Sequence, residues 1–346
     1  MAADLLSELR GHRIPSLARA ISQVENERPG FEELLAAIHP ALGRARRIGI
    51  TGPPGAGKST LTEQLVRGFR ARGLTVGVVA VDPTSPFTGG ALLGDRIRME
   101  SVALDSGVFI RSMATRGSLG GLATTTREVC DLLDAAGFDR ILIETVGVGQ
   151  SELAVSRTAD STVLVLVPES GDGIQTLKAG IMEIADLFVV NKADRPGADR
   201  LRQELEVTIG IRGGQAFRHV PAHHGVRAER RSSGGSQEAS GEPGVWRHPV
   251  LATVASRGDG IGELLQALDA HHEWMESSGT LADRRRRRLI ERTREVITRA
   301  ARRWLWEEAQ ADQLIQLRLD DLVAGRVSPY EIATELVEGL KQGTRA

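Results

Sequence analysis

The stretch Gly52-Pro53-Pro54-Gly55-Ala56-Gly57-Lys58-Ser59-Thr60 follows directly on the apolar run Ile48-Gly49-Ile50-Thr51. This order predicts a strand, a phosphate-binding loop and a helix that opens at the lysine. Glycines 52, 55 and 57 let the backbone curl until successive N–H groups face a phosphate; Pro53, Pro54 and Ala56 fill the turn between them. Lys58 then neutralises β- and γ-phosphate oxygens, while Ser59, with Thr60 beside it at the positive end of the helix, offers a hydroxyl to Mg²⁺. The implied ligand is a nucleoside triphosphate.

Which base it carries is read from Asn191-Lys192-Ala193-Asp194, placed after the apolar run Leu187-Phe188-Val189-Val190. An Asp194 carboxylate accepts from both N1–H and the exocyclic amine of guanine. Adenine presents an acceptor at the equivalent ring position and leaves the carboxylate unpaired, which is costly. Lys192 is expected to lay its stem over the base, and Asn191 to tie this loop to the phosphate loop.

The chain has 346 residues, with 44 Lys and Arg against 45 Asp and Glu, so its net charge of −1 gives no bias toward nucleic acid. Only Lys58, Lys178, Lys192 and Lys341 are lysines. Two of these already carry nucleotide roles that a planar guanidinium does not fill, which singles out Lys178. Cys130 is the sole cysteine, excluding an intrachain disulfide and favouring a reducing compartment. No apolar run approaches the ~18 residues of a membrane span. The start MAADLLSELRGHR lacks the apolar centre of a secretory signal, so a cytoplasmic protein that binds neither membrane nor nucleic acid is expected.

Apolar residues at helical spacing, Leu17, Ala20, Ile21 and Val24, then Phe31, Leu34, Leu35, Ile38 and Leu42, predict a helical preface broken near Pro29-Gly30. Strands are expected at 47–51, 75–81, 140–144, 162–167, 187–190 and 250–254, with a short one near 107–110. Helices between them imply an α/β fold, a mostly parallel sheet covered on both faces. The phosphate, Asp82, Glu144 and NKAD loops all leave carboxyl ends of strands, where such sheets bind ligands.

Residues 213–246, rich in Gly, Ser and His, read as a mobile surface insertion. His219, His223 and His224 have no acidic or thiol partner spaced to close a metal shell. Beyond Gly260 the chain reads as helical, with a cap at Thr280 to Asp283 and a stripe Leu289, Thr293, Val296, Ile297, Ala300, Ala301 and Trp304. A last helix opens at Ser328-Pro329-Tyr330-Glu331, a capping box with Pro at its first turn, and carries Ile332, Leu336, Val337 and Leu340. The run Arg284 to Arg288 is spread around a helix axis and diluted by Glu291 and Glu295. Such long stripes, with Trp304 and Trp306, suit burial against a second subunit.

The ordered series GPPGAGKST, VDPTSPFTGGALLGDRIRM, SMATRGSLGGLA, ETVGVGQSE and NKAD resembles the MeaB/ArgK/MMAA family of GTPases over nearly the whole chain outside 213–246. The resemblance implies a P-loop GTPase domain at 45–270, an N-terminal helical extension at 1–44 and a C-terminal helical dimerisation arm at 271–346. It implies GTP and GDP as ligands, Mg²⁺, a homodimer, and metallochaperone work for an adenosylcobalamin-dependent acyl-CoA mutase, chiefly methylmalonyl-CoA mutase. A cobalamin adenosyltransferase is a further implied partner. Ser59, Asp82, Asp95 and Glu144 become the metal-side oxygens. Asp82 also orients the attacking water, and Gly147, in Glu144-Thr145-Val146-Gly147, touches the γ-phosphate as part of a switch.

Val148 stands where many small GTPases carry a water-positioning Gln, so slow hydrolysis, on the order of 10⁻⁴ to 10⁻² s⁻¹, is expected before activation. The segment Gly171 to Met182 corresponds to the family's mobile coupling element, with Gln175 and Lys178 on its functional positions; a client pressing it inward would bring Lys178 to the transition state. One departure stands in the last guanine loop, Val254-Ala255-Ser256, where a hydroxyl is missing; the Ala255 N–H is expected to reach guanine O6. Alternatives are a kinase of a lysine/arginine/ornithine transport system, as members were once regarded, a GTPase serving a different acyl-CoA mutase, or one serving nickel-enzyme assembly. The single cysteine and scattered histidines weigh against nickel.

Overall fold

Among the described residues, short runs of Val, Ile and Leu build a sheet of seven strands: β1 (Arg46–Thr51), β2 (Val76–Asp82), β3 (Val108–Ala114), β4 (Arg140–Thr145), β5 (Ser161–Leu166), β6 (Leu187–Asn191) and β7 (Val250–Thr253). The computed structural model describes residues 14–82, 99–114, 124–145, 155–170, 181–212, 245–309 and 311–341. The strands lie in the order β3-β2-β4-β1-β5-β6-β7 and every pairing is parallel. From β1 the chain crosses to β2 on one side, and from β4 it crosses to β5 on the other. The reversal puts a crevice at the carboxyl end of β1, as open parallel sheets require for ligands.

Helices α1 (Ile14–Glu25), α2 (Phe31–Ile38), α3 (Lys58–Ala71), α4 (Thr124–Ala135), α5 (Ala198–Arg212) and α6 (Ile261–Ser277) cover the sheet. Alternation along β4 shows how: Ile141 and Ile143 face a core with Leu17, Ile21, Phe31, Leu132 and Leu133, whereas Leu142 faces one with Leu61, Leu65, Phe69, Val163 and Leu264. The preface thus closes one face, through α1 and α2 against α4, and α3 with α6 close the other. The third strand is longer than the short one expected, because Val108 to Ala114 stay in register with Val76 to Asp82 throughout.

The first core holds a polar knot that secures the start of β1. Arg47 Nη2 donates to Asp131 Oδ1 (2.9 Å) and Asp134 Oδ2 (3.0 Å). Asp134 also accepts from the backbone N–H groups of Gly43, Arg44 and Ala45, and Asp160 accepts from that of Arg47. Burial by itself lowers the guanidinium's proton affinity; Asp131, with Asp134 and Asp160, outweighs it, so Arg47 sits above its usual range. Cys130 lies in the same core, where burial pushes its thiol up to about 12, the inert state of a structural cysteine.

At the far edge, the expected insertion does not run through 246. Trp246 donates from Nε1 to the Asp186 carbonyl at 2.9 Å and packs against His271 and Trp274 at 4.7 and 5.7 Å between ring centroids. A large ring with one satisfied polar atom anchors the segment before β7; residues 213–244, including the three histidines, lie outside the described residues.

The chain divides into two compact units between Leu281 and Ala282, so α6 lies whole within the first, past the boundary at 270. The second unit carries most of α7 (Thr280–Arg303), a wide turn at Trp304–Glu308, two short helices and α8 (Pro329–Lys341). Thr280 is the first helical residue rather than the cap; the left-handed Gly279 (φ 76°) precedes it, and Ser278 Oγ accepts from the Thr280 N–H at 3.4 Å. The capping box forms as expected: Ser328 N–H donates to Glu331 Oε2 at 2.7 Å, and Glu331 N–H to Ser328 Oγ at 3.3 Å. The Ser328 N–H and hydroxyl hold the Glu331 carboxyl below its usual range. None of the described helices is long and apolar enough to cross a membrane.

Candidate active site

Strand β1 ends at Thr51, and the next residue cannot carry a side chain. Gly52 has φ 142°, and a Cβ there would lie 2.1 Å from the carbonyl oxygen of Val165 in β5. Gly57, at φ 84°, has the Asn191 amide 2.5 Å from where its Cβ would be. The loop is therefore wound tightly against β5 and β6: Pro54 and Gly55 are exposed and Ala56 is buried before α3 begins at Lys58. The helix opens at Lys58, so its first N–H groups lie at the end of the loop.

Lys58 is buried and its Nζ donates to the carbonyls of Gly52 (2.9 Å) and Pro53 (3.0 Å), which holds the ammonium across the loop. Ser59 Oγ donates to Glu144 Oε1 at 2.6 Å, bringing the end of β4 to the start of α3. Beneath them Thr145 Oγ1 donates to Thr51 Oγ1 at 3.1 Å. Serine hydroxyl and buried carboxylate form an all-oxygen pair suited to a hard cation. Among the described residues no group of three or more His, Cys, Asp or Glu is placed to hold a metal. Asp82 ends β2 with its backbone in the sheet. Asp95, Gly147, Val148, Gln175 and Lys178 lie outside the described residues.

The segment Asn191-Lys192-Ala193-Asp194 leaves β6 next to this loop. Asn191, buried, donates from Nδ2 to the Ala56 carbonyl (2.8 Å), and its Oδ1 accepts from Thr253 Oγ1 and the Ala255 N–H, both at 3.1 Å. Lys192 Nζ donates to the Gly55 carbonyl at 2.9 Å. Two consecutive side chains of the motif thus clamp the phosphate loop. Lys192 reaches across with its backbone at φ 56°, an uncommon conformation for a residue with a side chain and one that clusters at ligand sites. Asp194 stands half-exposed at the mouth, and Arg195 pairs with Glu169, whose carboxyl that hydrogen bond holds below its usual range.

Two details differ from the sequence reading. The Ala255 N–H, expected to face guanine O6, is donated to Asn191, because a buried amide oxygen needs its donors. Arg257 was not foreseen: its Nη1 lies 3.9 Å from Asp194 Oδ2, and its Nε donates to Asp259 Oδ2 at 2.9 Å. An Arg and an Asp spaced by one residue in Ser256-Arg257-Gly258-Asp259 were the available signal.

Comparison with known proteins agrees with this geometry. The family model described as methylmalonyl-CoA mutase-associated GTPase MeaB matches residues 17–310. A Pyrococcus abyssi protein named as a GTPase is 47% identical over 298 residues, spanning 86% of this chain and 84% of the relative. The mouse mitochondrial methylmalonic aciduria type A homolog is 36% identical over 307 residues, 85% of this chain and 65% of its own length. A crystal structure titled LAO/AO transport system kinase covers 98% of this chain and 97% of its own, with a TM-score of 0.66 and 27% identity. With a phosphate loop, the Asn191-to-Asp194 motif clamped to it and a family model matching most of its length, the chain belongs to the family of MeaB-type, methylmalonyl-CoA mutase-associated GTPases.

Proposed function

We propose that the chain is a Mg²⁺-dependent, guanine-specific GTPase that works as a homodimer to gate adenosylcobalamin delivery to, and protect, a B12-dependent acyl-CoA mutase, methylmalonyl-CoA mutase first among them. The observation that carries the guanine reading is the double clamp of Asn191 and Lys192 on the carbonyls of Ala56 and Gly55. It fixes Asp194 at a set distance from the phosphate loop, which lets one ligand span both. The mutase is supported by the description of the matching family and by the name of the mouse relative.

In this reading the loop N–H groups and Lys58 hold the β- and γ-phosphates, and Asn191 keeps the base and phosphate loops in one rigid arrangement. Ser59, Glu144, Asp82 and Asp95 would hold Mg²⁺, which when bound offsets charge on the phosphate oxygens. Asp82 and Glu144 orient the attacking water in a site without a glutamine at 148. Gly147 N–H senses the γ-phosphate, and the segment with Gln175 and Lys178 brings the client's influence to it. The apolar stripe on α7, continued by Trp304 just past its end, supports the dimer: Leu289, Val296, Ile297 and Trp304 are 47%, 38%, 61% and 45% exposed in the single chain.

Nucleotide choice is tested by displacing a fluorescent GDP derivative from the purified protein. GTP and GDP are expected to compete, and ATP to bind at least about 10³-fold more weakly, since a mispaired carboxylate is penalised heavily. Comparable displacement by ATP contradicts the reading.

A further inference from the structure

Among the described residues, no hydroxyl or backbone N–H donates to the Asp194 carboxylate, and Val254, in the adjacent loop, is apolar and buried. Thr253 Oγ1 and the Ala255 N–H both serve Asn191 instead. What stands beside Asp194 is the Arg257 guanidinium, 3.9 Å from Oδ2. Resting on the guanine reading above, we infer that Arg257 is the positioning residue that orients the Asp194 carboxylate for the guanine edge, and so contributes to base specificity.

The turn bearing Arg257 is well fixed. Val254 N–H donates to the Asp259 carbonyl (3.1 Å) and Arg257 N–H to the Val254 carbonyl (2.9 Å). At its end Gly260, at φ 75°, passes so near β7 that a Cβ would lie 2.2 Å from the Ala252 carbonyl oxygen. The guanidinium is held from its other side by Asp259, through Nε at 2.9 Å. A planar fork with one edge secured by Asp259 presents the remaining N–H groups in a set direction, which a lysine does less well.

The distance to Asp194 matters as much as the partner. At 3.9 Å the contact is an ion pair and not a hydrogen bond, so both carboxylate oxygens keep lone pairs for N1–H and the 2-amine. The nearby positive charge also offsets part of the cost of stripping water from the carboxylate when a base covers it.

Inosine triphosphate separates this role from a general loop effect. It lacks the 2-amine that meets Asp194 but shares O6, the ribose and the phosphates. Arg257→Ala is expected to reduce the preference for GTP over ITP by about three- to fivefold, as suits a part-exposed ion pair, with the loss in GTP affinity. Arg257→Lys should retain part of that preference. Equal loss of GTP and ITP binding would make Arg257 a scaffold of its turn, and no change in either would make it an idle surface charge; both results overturn the inference. Asp194→Ala is run beside it: collapse of the preference is expected, and its survival would show that Asp194 does not read the base, so that the guanine reading fails and the inference with it.

Discussion

Lys58→Ala is expected to lower GTP turnover by about 10²- to 10³-fold, the loss typical of removing one donor that meets developing charge. The reason lies in how the lysine is held. Its ammonium is buried against the Gly52 and Pro53 carbonyls, so it stands at the loop's concave face rather than swinging in solvent. A phosphate entering there meets a positive charge whose position is already set. Lys58→Arg is not expected to restore the rate, because a planar fork cannot accept the same two carbonyls' geometry in that space and still face the phosphate. Steady-state GTP hydrolysis, with circular dichroism to confirm folding, checks both variants. Turnover within tenfold of the unaltered protein would remove Lys58 from the chemistry.

The second large effect concerns stability. Arg47→Ala is expected to destabilise the first unit by about 3–5 kcal/mol, the cost of removing one partner from a buried ion pair. Asp131 and Asp134 are both buried, and the guanidinium is the cation between them. Asp134 also gathers the three N–H groups that lead into β1, so the damage reaches the strand that delivers the phosphate loop. Urea unfolding, followed with and without GDP, measures it. A loss below about 1 kcal/mol would mean that water or a shift of α4 replaces the guanidinium, and that the knot is not what holds β1.

Most of the strands were legible because they are short apolar runs, which a parallel sheet buried on both faces demands; β3, broken by Arg111 and Ser112, was legible only in part. The phosphate loop was legible because its glycines answer to close contacts, with Val165 for Gly52 and Asn191 for Gly57, that no other residue permits. The Asn191 bridge to the phosphate loop was expected and is present. The rest depends on neighbours far along the chain. Arg47 looks like an ordinary charged residue at the start of a strand until α4 folds two aspartates onto it. Trp246 sits at the end of a polar, glycine-rich stretch, and only the Asp186 carbonyl and the His271 and Trp274 rings reveal it as an anchor. Nor does spacing show that the Ala255 N–H is taken by Asn191, or that Arg257 turns toward Asp194.

The most direct test of the central claim is GTP turnover by the purified protein with and without a B12-dependent acyl-CoA mutase loaded with adenosylcobalamin, ATP being run in parallel. The account predicts slow turnover of GTP alone, a rise of tenfold or more when methylmalonyl-CoA mutase is added, on the pattern of partner-activated GTPases that gain roughly 10³- to 10⁵-fold, and no turnover of ATP. GTP hydrolysis unchanged by that mutase and by other B12-dependent acyl-CoA mutases, or ATP hydrolysed as readily as GTP, would contradict it.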